Sequence, residues 1–161
     1  MTEKEYNECV GQFADNVYRF IVKNLKHEED ARDIVQSSFE KLWRNCRDVD
    51  FARSKSYLFT IAYHEMIDFL RKKRRVQYIQ SLKEDAGSYV QPGRNLKKVL
   101  EEAMSRLNDT QRSLVMLKDY EGYSYAEIGQ ITGLNESQVK VYLHRARIQL
   151  KNYLVSPQHV V

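Results

Sequence analysis

The chain has 161 residues, 30% of them charged, with only six glycines and two prolines, a composition that suits long solvated helices and argues against a loop-rich sheet protein. That length allows one medium domain or two small helical ones, neither with room for a large catalytic cavity. The 26 Lys and Arg against 22 Asp and Glu permit a polyanionic partner, and the two cysteines, Cys9 and Cys46, have neither metal-ligand spacing nor the density of a disulfide scaffold.

Glu3, Lys4 and Glu5 stand where a secretion signal needs a basic start and an apolar run, and no uncharged stretch approaches the roughly 18 residues that span a bilayer. The expectation is a cytoplasmic chain without membrane insertion. Tyr6, Val10, Phe13, Val17, Phe20 and Ile21 then recur at helical spacing, predicting one long amphipathic helix that ends near Asn24. Acidic residues at Glu28 to Asp30 favour the start of a second helix. This one buries Val35, Phe39, Leu42 and Cys46, with Trp43 beside the stripe, and turns Asp33, Gln36, Ser37, Glu40 and Lys41 outward.

Arg47 to Ser56 breaks the periodicity and reads as a loop, with Ser56 as the cap of a third helix whose inner face is Leu58, Ile61, Ala62 and Phe69. The helix runs into Arg71, Lys72, Lys73, Arg74 and Arg75, the densest positive patch in the chain. Periodicity is lost over 76–95, which gathers Gly87, Ser88, Pro92 and Gly93 and reads as a flexible linker between domains. It resumes with Leu96, Val99, Leu100, Ala103 and Leu107, and again, after a cap at Asn108 or Thr110, with Leu114, Val115 and Leu117. The fold expected is all-α: two small helical domains, 1–75 and 96–155, on either side of that linker.

The strongest local signal follows. Ser124 with Glu127, and Asn135 with Gln138, form two capping boxes at the separation a helix-turn-helix requires. Gly133 supplies the tight turn, Leu134 fills the angle between the helices, and the second helix buries Val139, Leu143, Ala146 and Leu150. Its other face offers Glu136, Ser137, Lys140, Val141, His144, Arg145 and Arg147, a mixture of donors, an acceptor and a methyl-bearing side chain suited to base edges and phosphates in a major groove. A solvated helical hairpin without DNA is the plainer alternative for this window.

Three stretches together resemble the extracytoplasmic-function (ECF) sigma factors of the sigma-70 family. They are Asp30 to Trp43 (DARDIVQSSFEKLW), Ser56 to Arg71 (SYLFTIAYHEMIDFLR) and Leu117 to Arg147. The resemblance implies that 1–75 is sigma region 2 and 96–155 is region 4. It implies core RNA polymerase docking through Asp30, Asp33, Gln36 and Glu40. Capture of the melted minus-10 strand falls to Arg53, Lys55, Tyr57, Thr60, Tyr63, His64 and Arg71, since unpaired bases are held by aromatic and polar pockets backed by cations. Minus-35 recognition falls to Lys118, Ser137, Lys140, Val141, His144 and Arg145, with Lys118 on phosphate. Members commonly carry Trp at the position of Tyr57, Asn at that of His64 and alanine at that of Gly129; glycine there is expected only to loosen its helix slightly. The partners implied are core polymerase, promoter DNA and a cognate anti-sigma factor.

Two other functions compete for the same residues. His64, Glu65 and Asp68 approach the HExxH pattern of zinc proteases, but the second histidine is missing and no phosphate loop or G-x-S-x-G is present, so neither an enzyme nor a cofactor is expected. A free-standing helix-turn-helix regulator would need a dimerisation seam that neither half displays.

Overall fold

A computed structural model describes residues 1–81 and 95–155, and all regular structure among them is helical. Thr2 starts the first helix, α1 (Glu3–Leu25), through a full capping box with Glu5, and Lys26 ends it in the left-handed conformation at φ 58°. The cap of α2 (Glu28–Arg44) is His27, whose Nδ1 accepts from the Asp30 amide at 3.3 Å. The segment read as a loop holds two single 3₁₀ turns, Cys46–Asp48 and Phe51–Arg53. Helix α3 (Ser54–Ser81) starts before the expected cap, and the Ser56 hydroxyl donates instead to the Arg53 carbonyl. It also runs on into the span expected to be linker as far as Ser81; the rest of that span, 82–94, lies outside the described residues.

In the second half, Asn95 caps α4 (Leu96–Ser105), and Asn108 with Gln111 makes the capping box of α5 (Asp109–Val115). That helix continues through a π-helical stretch, Met116–Tyr120, before α6 (Tyr125–Thr132) and α7 (Glu136–Leu154). Leu96, expected to be apolar core, is 78% exposed, whereas Val99, Ala103 and Leu107 are buried as expected.

The first three helices form a bundle around Cys9, Val17, Phe20, Ile21, Ala31, Ile34, Phe39, Leu42, Leu58, Ala62 and Met66. In α2 the stripe is filled by Ala31 and Ile34, while Val35 is only half-buried and Cys46 sits half-buried in the following turn. The two halves are pressed together, and their buried side chains form one continuous cluster. Phe59 of α3 is the hinge point of that cluster, its ring 5.6 Å from Phe20 of its own bundle and 5.4 Å from Tyr123 of the second half. Helix α3 therefore has two buried sides, which is why Phe59, Tyr63 and Met66 join Leu58 and Ala62 in the core.

Candidate nucleic-acid interface

Along the outer face of α2, Asp33, Gln36 and Glu40 are exposed, and Asp30 is half-buried with a carboxylate oxygen 3.0 Å from His27 Nδ1. The opposite edge of the helix is fixed by one acceptor on α3, Glu65. Its carboxylate takes hydrogen bonds from Ser37 Oγ (2.9 Å) and Ser38 Oγ (3.2 Å) and pairs with Lys41 Nζ at 2.5 Å. Ser37 and Lys41, expected to face outward, are thus partly or wholly engaged in holding α2 on α3. The acidic face itself is left to solvent.

The residues expected to meet the minus-10 strand divide into two sets. Arg53, Tyr57, His64 and Arg71 are at the surface, and Thr60 is half-buried with its hydroxyl donated to the Ser56 carbonyl at 2.7 Å. Lys55 and Tyr63 are elsewhere. Lys55 Nζ sits between the rings of Phe13 and Tyr123, 5.9 and 5.0 Å from their centroids. Tyr63 is 6% exposed and hydrogen-bonded to the Thr110 side chain, and burial pushes its phenol above the usual range. The expectation that Tyr63 shares an open face with Tyr57 and His64 is therefore corrected: it lies one turn from Phe59, on the side of α3 that the second half covers.

A polar network that the sequence did not signal crosses the same junction. Arg112, 7% exposed, donates from Nε to Asn24 Oδ1 (3.0 Å), from Nη1 to the Leu107 carbonyl (3.1 Å) and from Nη2 to Asp109 Oδ1 (2.6 Å). The other oxygen of Asp109 pairs with Arg74, out of the basic run, at 2.6 Å. Arg19 pairs with Glu121 at 2.9 Å, and the Glu121 side chain is only 2% exposed. These residues were invisible as a group because isolated polar letters on different helices carry no mark of burial; only their meeting gives them a role.

The helix-turn-helix is built largely as expected. Asn135 and Gln138 complete their capping box at 2.8 and 3.0 Å. At the first helix, the Ser124 hydroxyl accepts from the Glu127 amide and turns its proton to the Glu127 carboxylate, so only half of the expected box forms. Gly133 takes φ 79° at the turn. Gly129 has a stricter role than expected: a Cβ there would lie 2.8 Å from the Leu134 carbonyl oxygen, so α6 and the turn approach more closely than alanine allows.

On α7, Val139, Leu143 and Ala146 are buried, Leu150 is half-buried, and Ser137, Lys140, Val141, His144 and Arg145 are exposed. Lys118 and Lys140 converge on Tyr125, 4.5 and 5.5 Å from its ring centroid, which joins the π-helical stretch to the start of α7 in one basic surface. Arg147 is held 3.0 Å from Asp119, and Lys140 is 3.5 Å from Glu136. Among the described residues no helix is long and apolar enough to cross a membrane.

Residues 9–76 match the family model described as Sigma-70 region 2, and residues 97–150 match that described as Sigma-70, region 4. The chain is similar to the ECF RNA polymerase sigma factor SigE of Mycolicibacterium smegmatis, 29% identical over 158 residues, covering 92% of this chain and 61% of that one. It is 30% identical over 147 residues to the RNA polymerase sigma factor SigV of Bacillus subtilis, covering 88% and 89% of the two chains. In fold it is similar to the sigma factor RpoE of Bartonella quintana, solved in complex with the anti-sigma factor NepR, with a TM-score of 0.77 and 24% identity over 96% of this chain and 99% of that one.

Proposed function

The chain belongs to the sigma-70 family, among the ECF RNA polymerase sigma factors, and on that premise we propose that three of its surfaces divide the work of transcription initiation. Asp30, Asp33, Gln36 and Glu40 on α2 dock on core RNA polymerase. Lys118 and the exposed side chains of α7 hold and read the minus-35 element: Ser137, Lys140, Val141, His144 and Arg145. Arg53, Lys55, Tyr57, Thr60, Tyr63, His64 and Arg71 take the unpaired minus-10 strand. The domains are 1–75 for region 2 and 96–155 for region 4. The work is binding, with no covalent step. It takes place in the cytoplasm, where polymerase and promoter are.

The observation that carries this reading is the conjunction, in one chain, of an open acidic face on α2 and a capped recognition helix whose Lys140 meets Lys118 of the π-helical stretch at Tyr125. Opening a duplex forfeits stacking and pairing, so a protein without a chemical fuel melts DNA by binding the released bases. Tyr57 and His64 are accessible for that in the closed arrangement, but Lys55 and Tyr63 become so only when the second half leaves α3. Separation of the halves is thus part of the proposed cycle. By likeness to RpoE, which is bound by NepR, a cognate anti-sigma factor is assigned to this chain as a further partner.

Promoter-specific run-off transcription with purified core polymerase tests the reading. The chain is expected to direct discrete transcripts that core polymerase alone does not make. His64→Ala should lower open-complex formation on a duplex promoter more than on a template with a pre-melted bubble, and equal loss on both would remove His64 from base capture.

A further inference from the structure

The junction between the halves holds a cavity of about 500 Å³ that neither polymerase docking nor DNA binding uses. Val22, Lys23 and Lys26 from the end of α1 form one wall; Lys97, Leu100, Glu101 and Met104 of α4 form a second, and Arg112, Met116 and Tyr120 close it. Its volume falls within the range of small-molecule sites, and a junction of two structural units is a preferred place for one.

The lining is amphipathic in a directed way. Val22, Leu100, Met104, Met116 and Tyr120 provide apolar walls, and Leu100 and Tyr120 stay 36% and 47% exposed, so apolar surface is left uncovered. Lys23, Lys26 and Lys97 line the same cavity, against a single acidic lining residue, Glu101. Arg112 already donates three of its five N–H groups, to Asn24, Leu107 and Asp109. Lys23 lies over the Tyr120 ring, 4.4 Å from its centroid. Lys26 and Lys97 have no carboxylate within ion-pair distance among the described residues. The first turn of α4 carries Lys97 and no acid, so the helix dipole adds to the positive potential there.

We infer that this cavity binds an anionic amphiphile, a medium-chain alkyl carboxylate or phosphate, with its tail against Leu100, Met104 and Met116 and its head between Lys26 and Lys97. Because its walls come from both halves, the bound molecule favours the closed arrangement over the open one by its differential affinity for the two. The site then acts as a brake on the initiation activity proposed above, on which this part of the inference rests.

Calorimetric titration of the full chain with dodecanoate, kept below its micelle concentration, tests the binding directly. Saturable one-to-one binding is expected, together with a rise in melting temperature. Lys26→Glu with Lys97→Glu should weaken it at least tenfold, and Leu100→Trp, which fills the cavity from a partly exposed position, should abolish it while the circular dichroism spectrum is retained. Dodecyltrimethylammonium, of equal tail and opposite charge, should bind at least tenfold more weakly. Absence of saturable binding, equal binding of the cationic amphiphile, or wild-type affinity in the charge-reversed variant would overturn the site. In run-off assays dodecanoate should lower transcript yield from the wild-type chain and leave Leu100→Trp unaffected; equal inhibition of both would overturn the brake. Failure of the sigma reading itself would appear differently, as no promoter-specific transcript without any ligand.

Discussion

Helices α2 and α3 stand side by side in the same bundle, and each was expected to bury one face and offer the other to a partner. Only α2 does so. Its Asp33, Gln36 and Glu40 remain in solvent, while α3 is covered on a second side by Tyr123, Thr110 and Asp109 of the other half. The difference teaches that exposure of a polar face is a local property when a helix packs on one neighbour and a global one when it packs on two. It also gives the closed arrangement a direction. In the proposed cycle the polymerase-facing surface is available from the start, and part of the strand-capturing surface is released later.

The largest expected effect breaks the covered side. Arg112→Ala leaves Asn24 Oδ1 and the Leu107 carbonyl without their buried donor and Asp109 with Arg74 alone, and a buried polar group left unsatisfied costs about 1 to 3 kcal/mol. Urea unfolding should show a drop of that size, and a change below about 1 kcal/mol would mean that the network does not hold the halves together.

The open side should behave in the opposite way. Asp33→Ala with Gln36→Ala removes exposed side chains, so stability should stay within about 0.5 kcal/mol, whereas affinity for core polymerase should fall about tenfold or more. DNA binding by α7 should not change, because distant sites act independently. Competition for core polymerase as effective as wild type would show that α2 is not the docking face.

The smallest effect sharpens the comparison within the junction. Among the described residues the Tyr123 hydroxyl is buried without a hydrogen-bond partner, and burial pushes its phenol well above the usual tyrosine range. An unfolded tyrosine ionises near its ordinary value of about 10, so the folded state binds the proton more tightly and loses stability as pH rises past that point. Tyr123→Phe should raise stability at neutral pH by up to about 1 kcal/mol and reduce the loss above about pH 10. An unchanged alkaline profile would place the titration elsewhere; Tyr63, whose phenol is also raised by burial, is the next group to replace.

Caps and periodicities settled much of this protein from the sequence alone. Asn135 capped where expected, Asn108 of the two candidates Asn108 and Thr110 capped α5, Gly133 turned the chain, and Val139, Leu143 and Ala146 lined up inward, because each depends on neighbours within a turn or two. The exposed face of α2 and the exposed positions of α7 were legible for the same reason. Tertiary structure alone decided the fate of Lys55, Tyr63, Arg74 and Arg112. Nothing in the spacing of α3 distinguishes a side that meets water from one that meets another domain, and a lysine or tyrosine at such a position suits either. Gly129 was misread on the same ground, since the oxygen that forbids a side chain there belongs to Leu134, across the turn. Short-range hydrogen bonds and helical phase are written along the chain, whereas two-sided burial exists only once distant segments have met and shared their desolvated surface.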